Sequence, residues 1–540
     1  MFFKGLPIKS ENRIATLIIV IFAILNIISV ARGFSFTTDE DKHYLYGENI
    51  VAGNSTRFDD SKMPVTGLNA LPKALASHLN EGKIKQILSR LYTARAVTIF
   101  FSCLLAFLVF FWSRSLYGFI PALFSLTLYV LDPNIIAHSQ LVTTDLYLTC
   151  AIVFAFFSLW KFMNDRNLTN GLICLLALGF AQITKYTAIV LYPLFIVSII
   201  IYDTPEWIDA LRIKEKFNTL ILKHVKFTFL VFIASILIIN LGFLFNNTFK
   251  PFGEYKFVSM TFNTIQASLP FLHNFPIPIP VPYLQGLDWM RNTEQTGSLY
   301  GNIYLLGKVS TLKGFPGYYI IASLLKVPIA TQIFLTLAFI MYFTHKDRRS
   351  NLRINESFLL IPFLFFTIYF NFFFNTQIGI RYYLPIFPLL YVFSGNLFIG
   401  WHAFSVTQKV SISLLVAYLF VSVFSYHPYY LPYFNEFVWD RKQAYKYLAD
   451  SNIDWGQSEN ELSQYLQEHP DAIYKTHKIM SGHLVVRVND LVGVTSDPAQ
   501  YAWLRDNFEP VDTIAYSYLV YKISDEDIVR LCNTTDLCTK

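Results

Sequence analysis

Eleven apolar runs, centred near Ala23, Leu105, Leu126, Phe154, Leu176, Val197, Ala234, Thr331, Phe365, Val392 and Ala417, occupy most of the first 426 residues. Roughly 20 apolar residues cross a bilayer as a helix, so the chain is expected to fold as a bundle of membrane helices with its polar segments at the two ends. With 54% hydrophobic and 15% charged residues it lies outside the range of ordinary soluble enzymes. The net charge of +6 is divided into short basic clusters between apolar runs, a topology signal and not a nucleic-acid surface. The first run, about Ile14 to Val30, follows basic residues and precedes no small-residue cleavage site, so it is expected to stay as an anchor.

Those clusters alternate from loop to loop. Lys4, Lys9 and Arg13, then Arg114, then Lys161 and Arg166, then the basic residues of 212–226, then Lys346 to Arg353, and finally Lys409 fall on one side, which the positive-inside rule makes the cytoplasm. The other side receives loop 33–92, the turns at 132–140, 184–187 and 375–381, the segment 246–316 and everything after His427. The expected architecture is an all-α polytopic membrane domain over 1–426 and a small outer α/β domain over 427–540. In the latter, Ser458–Gln467, Ala499–Asn507 and Asp525–Cys532 read as helices and Thr513–Ile523 as a strand. Pro276, Pro278, Pro280 and Pro282 predict an extended loop that excludes helix. Cys532 and Cys538 close a short loop that an oxidising compartment would allow to form a disulfide. No zinc spacing, Walker loop or dinucleotide fingerprint stands in a fitting context.

Charge returns where the apolar runs end. Asp39, Glu40 and Asp41 follow the first run, Asp145 lies about one turn into the fourth, Lys185 sits between the fifth and sixth, and Arg381 opens the tenth. Singly, each could be a structural ion pair or a snorkelling side chain. Together they predict an outward-facing cavity with acids on one wall and bases on another, because an unpaired charge at this depth is costly. One chemistry fits. A sugar on a polyprenyl phosphate departs from a weakly basic phosphate, so no general acid is needed. A carboxylate must take the acceptor hydroxyl's proton, and cations must hold the phosphate as its charge grows. Asp39 is the expected base, Lys185 and Arg381 the expected phosphate clamp. Asp145 would either position the acceptor or act on Asp39 as a like charge.

Five stretches carry a family resemblance: Asp39-Glu40 with His43-Tyr44; Asp132-Pro133-Asn134 through His138 to Thr144-Asp145; Ile183-Thr184-Lys185-Tyr186-Thr187; Gly379-Ile380-Arg381-Tyr382-Tyr383-Leu384-Pro385; and His427-Pro428-Tyr429-Tyr430-Leu431-Pro432-Tyr433-Phe434-Asn435-Glu436 with Asp450 to Gln457. Over nearly its whole length the chain resembles the polyprenyl-phosphate-dependent glycosyltransferases of the GT-C fold, in the group of protein O-mannosyltransferases and the lipid A aminoarabinose transferase. The last stretch is similar to a bacterial phospholipid-carrier-dependent branch of family 39. The resemblance implies Asp39, Glu40 and Asp145 as catalytic, Lys185 and Arg381 as donor-phosphate ligands, and His43, Tyr44, His138, Tyr382 and Trp455 as substrate contacts. Trp455 would offer an aromatic face to a sugar or dock the outer domain. It implies no metal ligand set and no essential cofactor, although the acids could hold a divalent ion. The implied reaction moves a mannose-like hexose from a polyprenyl-phosphate donor to a hydroxyl of a protein, lipid or glycan at the outer face of a bacterial inner membrane. Segment 246–316 is too short for the β-trefoil insert of eukaryotic O-mannosyltransferases, so a protein acceptor is not assumed, and lipid A or another glycan is the alternative. A flippase or secondary transporter would instead show midplane charges and paired repeats.

Overall fold

The computed structural model describes residues 10–535 apart from 33, 55, 58, 59 and 298–300. Lys4, Lys9 and Cys538, and with it the expected bridge to Cys532, lie outside the described residues.

All eleven expected centres fall in helices, and the protein is a multi-pass helical membrane protein. The helices that matter for the site are α1 (Ser10–Ala31), α2 (Glu40–Val51), α3 (Leu91–Tyr117), α4 (Phe119–Val130), α5 (Pro133–Ser139), α6 (Thr144–Asn164), α7 (Leu168–Gln182), α8 (Leu191–Tyr202), α9 (Lys214–Gly242), α10 (Met260–Ser268), α11 (Val281–Thr296), α12 (Tyr318–Lys326), α13 (Ile329–Thr344), α14 (Ser357–Phe372), α15 (Ile386–Ser394) and α16 (Val406–Phe424). Among the described residues five of these, α1, α3, α6, α9 and α16, are long and apolar enough to cross alone. Three further runs are bent pairs, α4 with α5 at 63°, α8 with the helix Thr204–Ala210 at 68°, and α12 with α13 at 118°; α7, α14 and α15 are shorter apolar helices.

Burial ranks them. The most apolar window of α6 is 78% buried, against 17% for α16 and 22% for α9, so α6 is the hub and the other two face lipid. A hub that opens on Thr144-Asp145 must satisfy that carboxylate from neighbouring helix ends.

The sharpest bend, between α12 and α13, falls at Val327-Pro328, where proline cannot continue the hydrogen-bond ladder. Side chains take over the freed carbonyls. Asn435 Nδ2 donates to Leu324 O (2.6 Å) and Val327 O (2.7 Å), and Gln332 Nε2 to the same two oxygens at 2.9 and 2.8 Å. Lys326, 1% exposed, donates to Leu431 O and Asn452 O, both at 2.6 Å. The segment after α16 is therefore woven into the helical part, not laid over it.

Between α9 and α12 the expected extended loop is corrected. Pro280 and Pro282 stand at the start of α11, where a missing N–H is harmless and a fixed φ is already helical. A short hairpin, β1 (Ile303–Leu305) with β2 (Lys308–Ser310), follows. The C-terminal sheet is mixed: β3 (Ala472–Tyr474) pairs in parallel with β4 (Gly482–Arg487), and β4–β6–β5 are antiparallel, with β5 at Asp512–Ile514 and β6 at Tyr518–Ile523. The single strand expected over Thr513–Ile523 is thus two strands. Ala515 and Tyr516 turn between them with φ of 47° and 61°, left-handed backbone that propensity alone does not reveal.

Candidate active site

Alternation of helix direction brings the charged ends together. Asp39 follows the C-terminus of α1, Asp145 opens α6, Lys185 follows α7 and Arg381 precedes α15. Asp39 is the N-cap residue of α2, yet its side chain caps nothing; its Oδ2 lies 3.4 Å from Arg381 Nη1. Arg381 Nη1 is also 3.7 Å from Asp145 Oδ2, and Lys185 Nζ donates to Asp145 Oδ1 at 2.6 Å. With His43, Lys62, Tyr382 and part of α11 these groups line a cavity of about 90 Å³ inside a cleft whose whole empty space, open mouth included, is about 710 Å³. Among the described residues no three His, Cys, Asp or Glu side chains converge to hold a metal ion.

Electrostatics follow from the geometry. Burial pushes the Asp39 carboxyl up, but Arg381, His43 and Lys62 outweigh it and hold the group below the usual carboxylate range. The Arg381 guanidinium loses solvation by burial, and Asp145 and Asp39 more than restore its charged form. Its Nε is buried with no hydrogen-bond partner among the described residues. A guanidinium carries five donors, and here its carboxylate contacts are two long ones, both through Nη1. The cavity therefore presents an undersaturated cation.

Arg381 is held from below. Its guanidinium carbon sits 3.8 Å from the centroid of the Trp455 ring, and Lys185 Nζ lies 3.9 Å from the Tyr382 ring. The turn that carries it is gripped by the run Asp450 to Gln457. Ile380 N donates to Asn452 Oδ1 (3.0 Å), Asn452 Nδ2 to Tyr318 Oη (2.9 Å), and Ser451 Oγ to Ile378 O. Gly379 has φ 124°, and a Cβ there would run into Ser451 Oγ. Asp454 in turn accepts from Arg487 at the end of β4. Asn452→Ala is expected to leave the buried Ile380 N–H unpaired and to cost about 2 kcal/mol, read as a lower thermal midpoint in detergent.

Three expected site residues, Glu40, Tyr44 and His138, lie away from the cavity. Glu40 does not line the cavity. It is fully buried, accepts from Arg95 Nε (2.8 Å) and Nη2 (2.7 Å), and also takes Val142 N (2.8 Å) and Thr37 N (3.2 Å), so it staples loop 33–92 to α3 and to the start of α6. Tyr44 lies on another face of α2, near Lys73. His138, at the end of α5, is 1% exposed behind the cavity, its ring 6.1 Å from Trp455. Trp455, 5% exposed, is a shelf under Arg381 and not an open platform. Asp145 serves as counter-charge to both cations. His43 and Tyr382 line the cavity.

The sequence reading missed Arg95, Lys62, Trp289 and Glu294. An arginine at the fifth position of a mostly apolar 27-residue helix was the available signal for Arg95; Lys62 sits in a long loop, and Trp289 and Glu294 lie on α11 with no spacing to mark them.

The profile of the dolichyl-phosphate-mannose-protein mannosyltransferase family matches residues 88–238. Among solved structures, ArnT from Cupriavidus metallidurans bound to undecaprenyl phosphate is similar at 13% identity and TM-score 0.43, covering 76% of this chain and 65% of that one. Its apo form gives 12% and 0.45, covering 75% and 63%. The apo oligosaccharyltransferase of Archaeoglobus fulgidus gives 13% and 0.45, covering 76% and 54%. The chain thus spans less than two thirds of the length of each of these proteins. No curated protein matches.

Proposed function

We propose that the protein is a membrane glycosyltransferase that moves a hexose from a polyprenyl-phosphate donor to an acceptor hydroxyl at the outer face of the membrane. The observation that carries this reading is the undersaturated, buried Arg381 beside Lys185 in a cavity that Asp39 also lines. The profile match over α3 to α9 supports it.

In this reading the donor's phosphate enters between Lys185 and Arg381. The acceptor oxygen forms a bond to the anomeric carbon as that carbon's bond to the phosphate oxygen breaks. Asp39 takes the acceptor's proton, and the electron pair of the broken bond stays on the departing polyprenyl phosphate, whose added charge the two cations stabilise. In this structure the same cations are paired with Asp39 and Asp145. The phosphate therefore replaces carboxylates as their partner, and Asp39 loses the cation that held its proton affinity down.

That exchange has a pH signature. A base must be ionised, so activity is present above its pKa and lost as pH falls through it. In the free enzyme, reported by kcat/KM, the acid limb should lie below the usual Asp range. In the donor complex, reported by kcat, phosphate neutralises Arg381 and the limb should move to higher pH. Coincident or reversed limbs would contradict the assignment.

The direct test supplies purified protein with polyprenyl-phosphoryl mannose and an acceptor mixture. The reading predicts release of polyprenyl phosphate coupled to sugar transfer, competitively inhibited by bare polyprenyl phosphate, with Lys185→Ala weakening that inhibition. Binding of the lipid without transfer to any protein, lipid or glycan acceptor would count against it.

A further inference from the structure

One wall of the cavity stands outside the acid–cation network. Trp289, Met290, Thr293 and Glu294 line it from α11, at spacings that share one helical face. Glu294 is 8% exposed, yet among the described residues it makes no ion pair. Its oxygens accept from Asn375 N (3.0 Å), Thr376 N (3.3 Å) and Thr376 Oγ1 (2.6 Å). A carboxylate offers about four acceptor positions, so one is left for a donor arriving in the cavity. Burial raises this group's proton affinity above the ordinary range, as expected for a carboxylate served by neutral donors only.

The helix that carries the wall is fixed. Gly286 lies so close to Tyr186 that a Cβ would run into the tyrosine hydroxyl, and Arg57 Nη2 donates to Pro282 O (2.9 Å). Asp288 accepts from Ser259 N at 2.9 Å. Because Tyr186 directly follows Lys185, α11 stands next to the phosphate clamp. Thr293 Oγ1 donates to Trp289 O (3.0 Å), leaving its own oxygen as an acceptor.

An indole face beside a carboxylate and a hydroxyl suits a pyranose, whose C–H groups are apolar and whose substituents are hydrogen-bond donors. We infer that Trp289, Thr293 and Glu294 form the subsite that holds the donor's sugar ring, with Trp289 against its C–H face and Glu294 accepting from its hydroxyl or ammonium groups. The inference rests on the donor reading above, because it is the phosphate between Lys185 and Arg381 that places the sugar beside α11.

The test is a binding measurement and needs no turnover. Dissociation constants in detergent are compared for bare polyprenyl phosphate and for its mannosyl, glucosyl and aminohexosyl derivatives, in the parent protein, Glu294→Gln, Trp289→Leu and Thr293→Val. The parent should bind at least one glycosylated lipid more tightly than the bare one by about tenfold or more. Glu294→Gln and Trp289→Leu should each remove most of that increment while leaving bare-lipid affinity unchanged. If the preferred sugar is the amino derivative, Glu294→Gln should remove more than Trp289→Leu; if a neutral hexose, the two should be similar. An increment that survives the variants, an equal loss for bare and glycosylated lipid, or no increment in the parent overturns the subsite. Failure of the donor reading would show separately, as a parent protein that binds these lipids and transfers nothing.

Discussion

Asp39→Asn should lower kcat by about 10²- to 10⁴-fold, the range carried by a positioned general base. The substitution removes the proton acceptor without changing the side chain's size. Affinity for bare polyprenyl phosphate should be kept or improved, because Asn no longer competes with phosphate for Arg381 Nη1. The two effects in opposite directions separate a base from a binding residue: a transport or structural role would lower both together. Asp39 is one-third exposed, so the substitution buries no new unpaired group.

Arg95→Met is expected to be the most damaging change to folding. Arg95 and Glu40 are both fully buried, and the guanidinium also donates to Phe34 O (3.0 Å) and Ser35 O (2.8 Å). Removing one member of a buried pair leaves an uncompensated charge, at about 3–5 kcal/mol. The expected result is a large fall in thermal midpoint and in folded yield. Arg95→Lys should fall between, since it keeps the charge but loses the fork. The double variant Arg95→Met with Glu40→Gln should recover part of the loss, because the stranded carboxylate is gone. A single variant as stable as the parent would refute the staple.

The membrane architecture was legible because lipid imposes a length and a composition that chance rarely produces, and each apolar centre found its helix. Asp39, Asp145, Lys185 and Arg381 were legible for the same reason, as charges at apolar boundaries. What could not be read was division of labour. Asp39 and Glu40 are adjacent and chemically alike, but the N-cap position turns one toward Arg381 and the first helical turn sends the other to Arg95. Nor could spacing show that the stretch Ser451 to Trp455 grips Arg381, since 70 residues or more of chain separate them. Glu294 and Trp289 come from a segment whose prolines read as extended chain, because proline at a helix start and proline within a rigid loop look alike in sequence.

The weave between the broken helix and the last quarter of the chain sets an order of assembly. Asn435, Asn452 and Trp455 are synthesised after nearly every helix of the bundle, yet they close the break at Pro328 and seat the arginine at position 381. A nascent protein can thus be fully inserted and still inert, ripening only when its final stretch threads back between helices already in place. A stop codon near position 440 should therefore yield a membrane-embedded product without activity.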